Sequence, residues 1–194
     1  MLSPLSPFYC AHCTHCRLPV TTCVCNHIQS CNMPFNIMIC SHAKEWQKLD
    51  NTAHWAFLSS PNIKRIKWHR KTERIHSPID LQQLQDLTGQ FLLFPAADAI
   101  DIDQPELTIE QLWVVDGTWQ EAQKMLRQSP WLNDLPKVKI VDHSASQFVL
   151  RRNQRGLSTL EAIAAASDAR SPLATERLLY NFSLFQNALL ELQK

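Results

Sequence analysis

The stretch Leu112–Gln128, LWVVDGTWQEAQKMLRQ, contains the transition on which the fold depends. Its first four residues, Leu112-Trp113-Val114-Val115, are the apolar run of a buried strand. They lead into Asp116-Gly117-Thr118-Trp119, and Gln120–Gln128 reads as a helix. Asp at a strand end, glycine for close backbone approach and a hydroxyl at a helix start together make a polar ligand corner. Trp119 could stack on a flat ring. The alternative is a plain strand-to-helix cap with Trp119 in the core.

Outward from this corner the same alternation repeats. Asn36–Cys40, Ile63–Trp68, Phe91–Phe94 and Val138–Val141 read as further strands. Asp50-Asn51-Thr52 caps a helix over Ala53–Ser59. Ser77-Pro78 opens one over Ile79–Leu87, with Gly89 beyond its end. Ser158 and Glu161 form a capping box before Ala162–Ala166. Ser171-Pro172 opens a last helix to about Leu192, with Leu178, Phe182, Phe185, Leu189 and Leu192 on one apolar face. Strands alternating with helices predict an α/β fold, a mainly parallel sheet with flanking helices. Ligands of such sheets bind beyond the carboxyl ends of the strands. That rule selects Pro95–Asp98, Asp116–Trp119 and Asp142–Ser146. Pro95–Ile109 lacks a clear helical period and reads as a long loop, of a kind often functional, or as one hiding a short helix.

The 194 residues carry a net charge of +1, from 19 Lys+Arg against 18 Asp+Glu, which selects no partner by itself. The three glycines, Gly89, Gly117 and Gly156, exclude both a G-x-G-x-x-G dinucleotide loop and a Walker loop. No apolar run reaches the ~18 residues of a membrane span. The N-terminus lacks an apolar signal core, so the expected compartment is the cytoplasm. Disulfides are rare there, yet five of the seven cysteines lie between Cys10 and Cys25. Cys13, Cys16, Cys23 and Cys25, spaced C-x2-C-x6-C-x-C, suit a closed tetrahedral zinc site, which would be structural. Cys10, His12, His15 and His27 are near enough to substitute. The alternatives are reduced or partly disulfide-bonded thiols and, less well supported by context, a redox C-x-x-C. Cys40 reads as a buried small hydrophobe.

Lys64, Arg65, Lys67, Trp68, His69, Arg70, Lys71 and Arg74 crowd one segment, and Arg151, Arg152 and Arg155 form a second basic group. Such clusters can neutralise phosphates, with Trp68 stacking on a base. The competing reading is an ordinary solvated strand edge and loop.

Ordered blocks across nearly the whole chain carry a family resemblance. They begin with Cys13-x2-Cys16-Arg17-Leu18-Pro19 and Cys23-x-Cys25, then Asn51-Thr52 and Phe94-Pro95. Asp116-Gly117-Thr118-Trp119-x-Glu121-Ala122-x-Lys124-Met125 follows, then Ser129-Pro130 and Leu135-Pro136. Ser146-x-Phe148-x-Leu150-Arg151 and Ser158-Thr159-x-Glu161-Ala162 complete the set. The chain resembles the DTW-domain family, specifically the bacterial tRNA-uridine aminocarboxypropyltransferases. One departure stands at Ala53-His54, where the family commonly has Gly-Arg after Asn-Thr, so a role for that arginine does not carry over.

The resemblance implies transfer of the 3-amino-3-carboxypropyl group from S-adenosylmethionine to N3 of a uridine in tRNA, with methylthioadenosine as the other product. It implies a SPOUT-like fold with a C-terminal trefoil knot, and an organisation into a zinc-binding arm (1–32) and a catalytic domain (33–194). Relatives of that fold often pair, which makes a homodimer an expectation. Phe94, Pro95, Gly117, Thr118, Trp119, Ser158 and Thr159 are the implied cofactor contacts; for Ser158 the competing role is the capping box alone. Asn51, Thr52, Lys67, Arg70, Arg151 and Arg152 are the candidate substrate or RNA contacts, with Asn51 and Thr52 equally able to serve only as a cap. Asp116 is the candidate catalytic residue, as base or as the group orienting uridine; it could instead bind the cofactor's amino group. A free Asp titrates near ~3.9, low for a base acting on an imide. Two other functions remain open on this reading: an RNA methyltransferase on the same fold, and a zinc-bearing RNA-binding module without catalysis.

Overall fold

The computed structural model describes residues 11–69, 88–141, 145–150 and 156–193. Six strands form one sheet: β1 Asn36–Ser41, β2 Ile63–Lys67, β3 Gln90–Leu93, β4 Ile100–Asp101, β5 Gln111–Asp116 and β6 Lys137–Lys139. Their spatial order is β2-β1-β5-β3-β6-β4, and every neighbouring pair is parallel. The helices are α1 Thr52–Ser59, α2 Trp119–Arg127, α3 Pro130–Asn133, α4 Thr159–Ser167 and α5 Pro172–Glu191.

The period of two along β5 divides the interior. Leu112 and Val114 join Ile37 and Ile39 of β1 in a core covered by α1, α4 and α5. Trp113 points to the other face, with Met38, Cys40, Ile66 and Trp68, under Met125, Leu126 and Leu132 of α2 and α3. Both faces are therefore buried, which is why these strands read as continuous apolar runs rather than alternating ones. Trp55 of α1 is the hub of the larger core. It stacks on Phe185 at 5.2 Å and meets Phe148 edge-on at 5.8 Å.

All five predicted strands form. Residues 140 and 141 leave the sheet after β6, and Val141 is exposed. The predicted long loop holds β4, a two-residue strand too short to produce a sequence period. Leu178, Phe182, Phe185 and Leu189 of α5 are buried as expected, but Leu192 is exposed, because α5 ends at Glu191 and the chain then turns off the core face. The predicted helix Ile79–Leu87 and its opening Ser77-Pro78 lie outside the described residues. So do 142–144 and 151–155, part of the β6–α4 connection in which a C-terminal knot would be tied.

Residues 11–35 have little regular structure, yet their apolar side chains enter the main core. Cys16, Leu18, Val24, Cys31 and Met33 belong to the same cluster as Trp55 and Phe182. Among the described residues no helix is long and apolar enough to cross a membrane.

Candidate functional site

A cavity of about 770 Å3 opens at the carboxyl ends of β1, β5, β3 and β6, where the strand-end rule places a ligand. Its walls include Phe94, Pro95, Gly117, Thr118, Trp119, Ser158 and Thr159. All seven residues named from the sequence as cofactor contacts thus converge on one space. Two helices start on it. Thr118 caps α2 in a capping box with Glu121, a signal present in the sequence as T-x-x-E but not read there. Ser158 caps α4 in a second box with Glu161, so it does both jobs the sequence left open: it caps and it lines the wall.

Trp119 is not in the core. It is 54% exposed and lies flat on Phe94, with ring centroids 5.0 Å apart and planes within 5°. The outer face of that stack is a platform for a flat ring. Gly117 is required by close approach: an added Cβ would lie 3.1 Å from the Glu121 Cβ and 3.5 Å from the His42 Cβ. Gly117→Ala is expected to displace Glu121 from the α2 cap and lower stability by about 1–2 kcal/mol, read in urea titrations. Glu121 itself is held low. Burial pushes its carboxyl up, but the Thr118 N–H and hydroxyl and the nearby His42 and Lys44 outweigh that.

Asp116 is buried beneath this corner and does not form part of the cavity wall. Its Oδ1 accepts from the Thr159 hydroxyl at 2.9 Å. Its Oδ2 accepts from Asn51 Nδ2 at 3.0 Å and from the Arg65 guanidinium at 3.4 Å. Both side chains of the Arg65–Asp116 ion pair are at most 2% exposed. Three donors thus hold the carboxylate in place, two on Oδ2 and one on Oδ1. Arg65, read from sequence only as one charge in a basic segment, is the missed member of this group. Burial lowers its guanidinium to about 10 against the opposing pull of Asp116. No local signal marked it, because its partner lies 51 residues away.

Asn51 also resolves as two roles in one. Its Oδ1 accepts from the His54 N–H at 2.8 Å, capping α1, while its Nδ2 holds Asp116. Thr52 is fully buried in the first turn of α1, away from the cavity wall. Trp68, a candidate for stacking on a base, is instead buried. Its Nε1 donates to Ser129 Oγ at 2.9 Å and its ring stacks on His42. The reason is the parity of β2: Trp68 follows the even-numbered Ile66 into the second core. Lys67 is exposed at the end of β2 and lies off the cavity; Arg70, Arg151 and Arg152 are outside the described residues.

The sulfurs of Cys13, Cys16, Cys23 and Cys25 all lie within 4.8 Å of one another, and none is in a disulfide. Cys13–Cys25 and Cys16–Cys23 are 3.7 and 3.6 Å apart. A tetrahedron with metal–sulfur bonds of ~2.3 Å has edges of ~3.8 Å, so the donor set fits one zinc-sized ion. Backbone donors at Cys16 and His15 pull the Cys13 thiol down to about 6, whereas burial pushes Cys16 and Cys25 up. As thiolates, the four could hold one cation between them. The loop is tightened by Arg17 at φ +67°, whose guanidinium donates to the Trp46 carbonyl at 2.6 Å. Arg65 reaches the same carbonyl at 3.5 Å, so the cysteine arm and the Asp116 corner share an anchor.

His54 is a second tie between arm and domain, through Nε2 and the His15 carbonyl at 3.0 Å. Burial, then Arg17, holds its imidazole down at about 4. A histidine lowered on folding contributes stability that is complete above its unfolded value near 6.5 and lost as pH falls through 4. Between pH 6.5 and 4.5 this amounts to roughly 2 kcal/mol. The fall in urea midpoint over that interval is expected to shrink in His54→Gln.

Residues 10–190 match the family model described as the DTW domain. The chain belongs to the DTW-domain family. The DTW domain here is also 32% identical over 89 residues to a Drosophila melanogaster protein named tRNA-uridine aminocarboxypropyltransferase 2, covering 44% of this chain and 36% of that protein. The match thus spans little more than a third of that relative's length. No solved structure is significantly similar to this DTW domain.

Proposed function

We propose that the protein transfers the 3-amino-3-carboxypropyl group of S-adenosylmethionine to N3 of a uridine in tRNA. The observation that carries this reading is the convergence of Phe94, Pro95, Gly117, Thr118, Trp119, Ser158 and Thr159 on one cavity in a DTW domain. The relative named as a tRNA-uridine aminocarboxypropyltransferase supports the same chemistry. Uracil N3 loses its proton to water and attacks the methylene carbon bonded to the sulfonium. That carbon–sulfur bond breaks, its electron pair stays on sulfur, and the neutral thioether methylthioadenosine leaves. Selecting this carbon over the methyl is a matter of orientation. Asp116 serves it by fixing Asn51, Arg65 and Thr159 around the cavity floor. The four cysteines hold a structural Zn2+, and residues 33–194 form the catalytic domain. Lys67, Arg70, Arg151 and Arg152 meet tRNA phosphates.

Incubation with S-adenosylmethionine and unmodified tRNA, followed by nucleoside mass spectrometry, tests the reading. Aminocarboxypropyl-uridine and methylthioadenosine are expected. Methylated uridine with S-adenosylhomocysteine, or no product across a complete tRNA pool, would overturn it. Trp119→Ala should leave stability within about 0.5 kcal/mol, since the ring is half exposed. Loss of a stacking face is worth about 1–3 kcal/mol, so kcat/KM should fall roughly 5- to 150-fold, with Trp119→Phe retaining most of it.

A further inference from the structure

The cavity runs across the carboxyl ends of four adjacent strands, and its two ends differ in charge. Strands lie ~4.8 Å apart, so this floor is about 14 Å long. Toward β3 and β6 the wall is mostly apolar, with Leu93, Ile140 and Leu157 beside the single cation Lys139. At the β1 end, the loop after β1 contributes two acids and one cation, Glu45, Asp50 and Lys48. Glu45 is 2% exposed and accepts from Lys48 Nζ at 2.6 Å, while Lys48 is 47% exposed. The loop is anchored. The Glu45 N–H donates to the His42 carbonyl at 2.9 Å and the Asn51 N–H to the Lys48 carbonyl at 3.3 Å. Through Asn51 it is tied to Asp116.

An opposite-charge pair fixed on a cavity wall is complementary to a zwitterion. An α-amino acid head group offers an ammonium and a carboxylate two bonds apart, and each gains a charge-assisted partner on such a pair. We propose that Glu45 and Lys48 are a specificity-determining pair that holds the amino acid head group of the donor, ammonium on Glu45 and carboxylate on Lys48. The inference rests on the aminocarboxypropyl reading above. It sets the direction of the bound donor: purine toward Leu93, Ile140 and Leu157, sulfonium in the middle beside Gly117–Trp119. The group gripped by its two charges is the group transferred, so the methylene next to sulfur is held in place while the methyl is not. Methylthioadenosine lacks the head group and loses this grip.

Calorimetry with two probes tests the assignment. S-adenosylhomocysteine carries the head group; methylthioadenosine does not. The wild-type protein is expected to bind S-adenosylhomocysteine more tightly. Glu45→Gln and Lys48→Met should each weaken S-adenosylhomocysteine about tenfold or more and leave methylthioadenosine within about twofold. Retained methylthioadenosine binding also reports an intact cavity in each variant. Equal losses for both probes, or no loss for either, would overturn the head-group assignment while leaving the donor site standing. A wild-type protein that binds neither probe would overturn the donor site itself, and this inference with it.

Discussion

Asp116→Ala is expected to lower the melting temperature by roughly 6–20 °C and to abolish turnover. The substitution leaves the Arg65 guanidinium buried without its counter-charge and strips acceptors from Asn51 and Thr159. Breaking a buried pair from one side costs about 3–5 kcal/mol, and each kcal/mol moves the midpoint of a domain this size by about 2–4 °C. Differential scanning calorimetry reads the first effect. A double variant, Asp116→Asn with Arg65→Met, separates folding from function. It removes both charges at similar volume and should regain most of the lost stability, since a buried pair contributes little net energy over an apolar replacement. Turnover should stay lost, because Asn51 and Thr159 are no longer held on one carboxylate. A double variant with wild-type turnover would mean the corner is only a structural ion pair.

Cys16→Ser is expected to abolish binding of one zinc ion per chain and to release the arm. Cys16 is the buried thiol of the four, with Leu18 fully buried and Val24 nearly so beside it. With zinc as the proposed ion, this short segment is expected to depend on it for folding, because among the described residues its ladder is limited to a single His12–Pro19 bridge and two 3-10 turns. Exposing Leu18 and Val24 forfeits about 1.5–3 kcal/mol each. The effect should spread to the cavity, since Arg17 and Arg65 share the Trp46 carbonyl and His54 holds the His15 carbonyl. Zinc content by atomic emission should fall from about one equivalent to near zero. Trypsin should cut at Arg17 much faster, and binding of S-adenosylhomocysteine should weaken. A variant that keeps its metal and its protease resistance would remove Cys16 from the ligand set.

Much of the site was legible because its signals are local. A strand end, a glycine turn and a hydroxyl-capped helix are contiguous in Asp116–Trp119, and S-x-x-E at Ser158 is a capping box within four residues. The cysteine spacing is likewise a local pattern. What escaped notice depended on distance or parity. Trp68 is one residue beyond β2, and its side of the sheet decides between stacking on a base and filling a core; the charges around it pointed the wrong way. Glu45 and Lys48 sit in a loop with no period, motif or cap.

The sequence by itself determined five of the six strands, the starts of α1, α2, α4 and α5, and the four thiols, since each follows from the character of neighbouring side chains. It also determined that no glycine-rich phosphate loop is present. Only the tertiary structure decided which groups Asp116 is bonded to. Seen along the chain, it is an acid at a strand end, free to act as a base. In the fold, parallel pairing brings β1 and β5 together in register, with Ser41 opposite both Asp116 and Lys67. That packing brings Arg65, Asn51 and Thr159 onto one carboxylate from 51, 65 and 43 residues away. A carboxylate shut away from water must take partners, and which partners it takes is a property of the packing, not of its neighbours in the chain.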